Sequence, residues 1–161
     1  MTGADTSPQK EPPPQRLLAE VLVPGTAGTG EALVLSAPIS FWGGVDPASG
    51  RIADVRHPEH GATIAGKILF LPGTIGSSSA SAVLLELVRN GHAPTAIVMH
   101  EPDAILLLGI IVAREMGWPT PVAVRLDSGQ FPTFACARVV VGADGSIRIA
   151  DSVCEPAEIK T

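Results

Sequence analysis

The stretch Ile68-Leu69-Phe70-Leu71-Pro72-Gly73-Thr74-Ile75-Gly76-Ser77-Ser78-Ser79-Ala80-Ser81 decides the fold. Four consecutive apolar residues read as a strand covered on both faces. Pro72-Gly73 and Gly76 then turn the chain. Three serines open a segment that reads as a helix over Ser77 to Asn90, closed by the cap signal Asn90-Gly91. A serine at a helix start accepts a bond from a free backbone N–H. The same N–H groups, with the helix dipole, favour negative charge. A hydroxyl held there either caps the helix, or gives up its proton more easily than in water, or holds an anionic substrate.

Working outward, Ala96-Ile97-Val98-Met99 is a second buried strand and Asp103 to Met116 a second helix, stopped by Gly117 and Pro119. Pro121 to Val124 is strand again. The centre is therefore a strand–helix–strand–helix–strand unit with parallel strands. Upstream, Leu17 to Val23 reads as the first strand, Thr26 to Gly30 as a loop, Ala32 to Leu35 as a second strand and Arg51 to Val55 as a third. Downstream, Thr133 to Val141 and Ser146 to Ile149 read as a hairpin about Ala143-Asp144-Gly145. These outer strands are expected to form an antiparallel layer or half-barrel, which makes the fold class α/β. Residues 1–16, rich in proline and polar groups, read as a flexible tail, and 17–161 as one domain.

The composition excludes several functions. The net charge is −5 and the 11 basic residues do not cluster, which argues against a nucleic-acid surface. There is no tyrosine, and four Phe with two Trp make no platform for stacking bases. The first sixteen residues lack the apolar core of a signal peptide. The longest apolar run, Ala104 to Ala113, is half of what spans a bilayer and reads as a buried helix. Cys136 and Cys154 are too few for a disulfide framework or a thiolate metal site. Both read as small, buried, reduced thiols, which points to a soluble, cytoplasmic protein.

Four motifs in order carry a resemblance: Ser40-Phe41-Trp42-Gly43-Gly44-Val45-Asp46, Gly76-Ser77-Ser78-Ser79-Ala80-Ser81, Gly91-His92-Ala93-Pro94 and Glu101-Pro102-Asp103. They resemble the small swivel domain, or small subunit, of aconitase X, over nearly the whole chain after the tail. The resemblance implies a swivelling β/β/α domain that closes on a large subunit. It implies a dehydratase whose iron–sulfur cluster sits on that large subunit's cysteines. At 161 residues the chain resembles the separate small subunit. The first serine of the Gly-Ser-Ser motif is the family's proton acceptor, and it matches Ser77. Members acting on phosphorylated mevalonate typically continue with Thr-Val-Gly. Ser78-Ser79-Ala80 is closer to the type that dehydrates cis-3-hydroxy-L-proline to Δ1-pyrroline-2-carboxylate. Mevalonate 5-phosphate dehydratase is the second reading, and a non-catalytic binding or regulatory module with the same fold is the third.

The chemistry asks for a base at the carbon next to the carboxylate and for help in expelling the hydroxyl. Ser77 is the candidate base, useful only if its alkoxide is held by backbone donors in a dry cleft. Gly76, Ser78, Trp42, Gly43 and Gly44 are the candidate substrate-binding residues. Trp42 equally fits a plug of the core beneath the loop. A cluster needs three or four thiolates, so none is expected on this chain. His57-Pro58-Glu59-His60 has the count of a metal pair but the proline of a turn. Glu101 and Arg125 follow strands at the end where α/β sheets hold ligands, and each also suits plain solvation.

Overall fold

The computed structural model describes residues 16–154. The proline-rich residues before them lie outside this range, and Arg16 is already strand. In order the chain forms β1 (Arg16–Leu18), β2 (Glu20–Val23), β3 (Gly28–Val34), a single turn α1 (Phe41–Gly44), β4 (Val45–Asp46), β5 (Arg51–Ile52) and β6 (Ile68–Leu71). There follow α2 (Ala80–Asn90), β7 (Ala96–Met99), α3 (Ala104–Glu115), β8 (Val122–Arg125), the 3₁₀ helix η1 (Ser128–Phe134), β9 (Ala137–Val141) and β10 (Ser146–Ser152).

Eight strands make one mixed sheet in the order β1-β10-β9-β3-β6-β7-β8-β2. β3, β6, β7 and β8 run parallel, and the other pairings are antiparallel. The central strands alternate without a break. Ile68, Phe70, Ala96, Val98, Val122 and Val124 face one core, with Phe131 and Phe134 of η1. Leu69, Leu71, Ile97, Met99 and Ala123 face the other, against α2 and α3. Phe70 stacks on Phe134 with ring centroids 5.0 Å apart and meets Phe131 edge-on at 5.3 Å. The two helices lie side by side, close enough that a Cβ on Gly109 would sit 2.6 Å from the Ser81 carbonyl oxygen.

Leu17 to Val23, which reads as one strand, is two. β1 pairs with β10 at one edge of the sheet and β2 with β8 at the other. Only Ala19 separates them, so the sheet must curl until its edges meet. Ala19 is buried, and its N–H donates to the Gly145 carbonyl at 2.9 Å. The expected half-barrel is thus closed by the chain itself.

Other expectations shift for local reasons. β3 begins at Gly28, inside the expected loop, because the strand continues there along β9. β5 stops at Ile52, since Ala53 and Asp54 turn their N–H groups to the Gly44 carbonyl. The expected hairpin arm from Thr133 is η1 up to Phe134, driven by burial of two phenylalanines and capped by the Asp127 carboxylate at the Gly129 N–H. α2 starts at Ala80, three residues after Ser77. The cysteines correct the sequence reading most plainly. They are neither buried nor reduced: both are exposed and joined as a disulfide with Cα atoms 5.1 Å apart. Cys136 has a φ of +58° and so steps out of the strand alternation, while its carbonyl accepts the Val153 N–H at 2.8 Å. Among the described residues, no helix is long and apolar enough to cross a membrane.

Candidate functional site

The site is built where β3 and β6 end, at the C-terminal edge of the parallel strands. The exits of these strands are laced together. The Ile39 N–H donates to the Gly73 carbonyl at 3.3 Å and the Ile75 N–H to the Ile39 carbonyl at 3.0 Å. Asp103 fixes the loop from the far side. Its Oδ2 accepts the Thr74 hydroxyl at 2.6 Å, while Oδ1 caps α3 through the N–H groups of Ile105 and Leu106 at 2.9 and 3.2 Å. One side chain thus ties the β6 exit to the start of a helix. Carboxylates suit helix N-termini for this reason.

Beyond Ile39 the chain enters the turn Phe41–Gly44. Phe41 is the core plug, with only 1% of its surface exposed, and Trp42 is 62% exposed. The two roles weighed for Trp42 therefore fall on adjacent residues. Trp42 (φ −71°, ψ 112°) and Gly43 (φ 75°, ψ −14°) have the dihedrals of a type II turn. Its third position needs positive φ, which suits Gly43. The Ser40 hydroxyl donates to the Trp42 carbonyl at 3.0 Å and steadies the turn.

Ser40, Trp42, Gly43 and Gly44 line an open cleft of about 480 Å³ with Asp54, Val55, Arg56 and Ile75. The wall ends at Ile75, and Gly76, Ser77 and Ser78 continue from its rim. Ser77 is half-buried and Ser78 exposed. The Ser77 Oγ accepts the Ser79 N–H at 3.2 Å, and its carbonyl accepts the Ala80 N–H at 3.1 Å. Ser79, not Ser77, is the helix cap, and it caps without a side-chain bond. Ser77 therefore stands ahead of the helix in a turn of its own. A Cβ on Gly76 would meet nothing within 4 Å, so the loop faces open space.

Charge at the cleft comes from Asp54 and Arg56. The Arg56 N–H donates to Asp54 Oδ1 at 2.9 Å and holds that carboxyl below its usual range, and the nearby guanidinium adds to the effect. The Arg56 side chain is 90% exposed. Neither residue stands out in sequence, because short loops of mixed polarity carry no period.

The remaining candidates separate. His57 is buried, a strut and not a ligand. Its Nε2 lies 3.1 Å from the Ala37 carbonyl, and its Nδ1 accepts the Glu59 N–H at 3.2 Å. Glu59 in turn accepts the Ser36 hydroxyl at 2.6 Å. Glu101 stands beside the loop, its Oε2 3.2 Å from where a Cβ on Gly73 would lie. Arg125 belongs elsewhere. It bonds the His100 carbonyl at 3.4 Å, lies 3.8 Å from Glu20, and lines a separate cleft of about 250 Å³ with Asp127. Another hollow, of about 360 Å³, sits at the N-terminal edge of the strands among Pro94, Pro119 and Pro121. Open parallel sheets hold ligands at the opposite edge, where the serine loop is.

Comparison with known proteins places the family of the chain. A family model described as the aconitase X swivel domain matches residues 16–149. Cis-3-hydroxy-L-proline dehydratase of Pseudomonas aeruginosa is 40% identical over 148 residues, which are 89% of this chain and 24% of that protein. The chain spans about a quarter of that relative's length. Phosphomevalonate dehydratase small subunit of Thermococcus gammatolerans is 37% identical over 130 residues, 80% of this chain and 94% of that one. The crystal structure of Thermococcus kodakaraensis aconitase X in its holo-form superposes with a TM-score of 0.74 at 31% identity, covering 85% of this chain and 99% of that chain.

Proposed function

The chain belongs to the aconitase X swivel-domain family, and on that premise we propose that it is the small subunit of a hydro-lyase that dehydrates cis-3-hydroxy-L-proline to Δ1-pyrroline-2-carboxylate. The observation that carries this reading is the serine loop. A half-buried hydroxyl stands on a loop fixed from both sides, at the ligand-bearing edge, with its rim open. Ser77, poised as an alkoxide, takes the proton from the carbon next to the substrate carboxylate and becomes a hydroxyl, while the C3 hydroxyl would leave as water with help from the large-subunit side of the cleft. Its alkoxide is stabilised by the Ser79 N–H already aimed at Oγ. Gly76 and Ser78 give the substrate backbone and hydroxyl contacts, and Trp42, Gly43 and Gly44 wall the cleft beside it. Arg56 is the exposed cation on that wall, suited to a carboxylate.

The chain's own residues do not fit an iron–sulfur cluster. Its two thiols are spent on each other, and among the described residues no three His, Cys, Asp or Glu side chains gather to hold a metal. We therefore assign the cluster of this family to the large subunit. Closure of that subunit over the serine loop would exclude water and leave Ser77 facing the substrate.

Phosphomevalonate is the alternative substrate, favoured by the 94% coverage of the Thermococcus gammatolerans small subunit. Against it stand Ser78-Ser79-Ala80, which depart from the Thr-Val-Gly that the family resemblance gives for that substrate; identity does not separate the two, at 40% to the hydroxyproline enzyme and 37% and 44% to two phosphomevalonate dehydratase small subunits. Co-expression with the organism's aconitase X large subunit, followed by assays on both substrates, tests the reading. Turnover of cis-3-hydroxy-L-proline is expected. Turnover of mevalonate 5-phosphate alone would move the substrate to the alternative. A complex with an intact cluster and neither activity would make the chain a binding module.

A further inference from the structure

α3 is apolar on every side: Ala104 to Ala113 contains no charged or hydrogen-bonding side chain. A helix of that composition is normally buried all round. Here only one side is covered. Leu106, Leu107, Ile110 and Ala113 pack on the sheet and α2, whereas Ile105, Leu108, Ile111, Val112 and the cap residue Met116 are 41–54% exposed. α2 differs, for its exposed positions are Ala82, Glu86, Arg89 and Asn90, with no large apolar side chain among them. The bare face of α3 begins beside the serine loop, because the Thr74–Asp103 bond joins the helix start to the residue before Ile75, itself 59% exposed. Those six residues leave about 500 Å² uncovered, within the roughly 300–600 Å² of the largest patch on a lone soluble protein and more than half of the roughly 800 Å² that one partner brings to a standard interface.

We infer that the outer face of α3, together with Ile75 of the neighbouring loop and the cap residue Met116, is a seat for the large subunit. This rests on the proposed small-subunit role. Two features choose the large subunit over a second copy of this chain. The face is continuous with the loop that the large subunit must reach to meet Ser77. Relatives such as the Pseudomonas aeruginosa enzyme also carry three-quarters of their length outside the matched segment. The interface would be anchored mainly by apolar packing, with exposed Arg114 and Glu115 only at the far end of α3, so its strength should change little with salt.

The test measures binding of purified chain to the purified large subunit of the same organism, by calorimetry at low and high salt. The variant L108E/I111K places an ion pair at helical spacing on the exposed face, so its circular dichroism and thermal midpoint should match those of the unchanged chain. Its binding is expected to weaken at least 100-fold, while Arg148→Gln on β10 binds normally. Hydrogen exchange on the unchanged pair supplies a readout that needs no variant: amides of 104–116 should gain protection on mixing. Equal binding by L108E/I111K, or no added protection, would overturn the seat while leaving the small-subunit role intact. A chain that dimerises alone through this face, shown by sedimentation, and binds the large subunit unchanged after the substitutions would give the seat to a second copy. Failure of the unchanged chain to bind would overturn the small-subunit role, and the seat with it.

Discussion

Replacing Ser77 with alanine separates what this residue does for the fold from what it does for the reaction. Structurally the change removes one acceptor, the Oγ that takes the Ser79 N–H at 3.2 Å. The backbone bond from the Ala80 N–H to the Ser77 carbonyl is kept. The freed Ser79 N–H lies next to the exposed Ser78 and finds water, so the loss should be no more than about 1 kcal/mol. For a domain of this size that lowers the melting midpoint by about 2–4 °C. Chemically the change removes the proposed base, and general bases typically contribute 10²- to 10⁴-fold. In the assembled dehydratase kcat should therefore fall at least about 100-fold while KM moves little. Melting curves of the isolated chain and steady-state kinetics of the complex give the two numbers. Near-normal kcat would refute the role of Ser77 as proton acceptor. A fall in melting midpoint of 10 °C or more would refute the claim that its structural role is small.

Asp103→Ala should cost about 1–2 kcal/mol in urea unfolding through loss of the α3 cap, and should lower turnover as well because Thr74 loses its anchor; Asp103→Asn should retain most of the stability. Phe134→Ala removes the stacked partner of Phe70 from the barrel and should destabilise by about 3–5 kcal/mol, read as a lower urea midpoint at constant slope. Reducing the Cys136–Cys154 bridge, which closes an 18-residue separation, should destabilise by up to about 3 kcal/mol, and mass spectrometry without reductant should find both thiols blocked. Asp46 is held below its usual carboxyl range first by the Ser49 hydroxyl and then by the Ala48 N–H, and Asp144 likewise by Ser146. A depressed folded-state value means their contribution is whole above pH ~4 and fades as the pH drops through the lowered values. Unfolding curves at pH 5 and pH 3 should converge for Asp46→Asn compared with the unchanged chain.

The centre of the fold is legible because its signals are local. Ile68–Leu71, Ala96–Met99 and α3 declare themselves by unbroken apolar runs, and Asp103 and Gly91 mark helix ends. What escapes the sequence depends on partners far along the chain. Nothing in Leu17 to Val23 says that a bend at Ala19 sends its halves to opposite edges, since that follows from β8 and β10 more than a hundred residues later. The cysteines mislead for the same reason. Cys136 sits among apolar neighbours, yet its positive φ turns it outward, and only the pairing of β9 with β10 brings Cys154 within reach. At the cleft, the motifs point to Trp42, Gly43 and Gly44, which line it, and to Ser77 and Ser78, which follow its last lining residue, Ile75. They do not point to Arg56, Asp54 and Thr74, because the places of these residues follow from how two loops are laced at the strand ends.

The bend at Ala19 also constrains how the protein is born. A ribosome delivers β1 and β2 long before the strands that receive them, β8 and β10. Until then the nascent polypeptide carries two orphaned ribbons with their amides unengaged, and assembly of the barrel has to wait for translation to pass β10. Such late, distant pairing slows folding and leaves the growing chain open to adhesion by its neighbours. Once the last strand docks, both ribbons are paired along one side, β1 on β10 and β2 on β8, and that exposure falls.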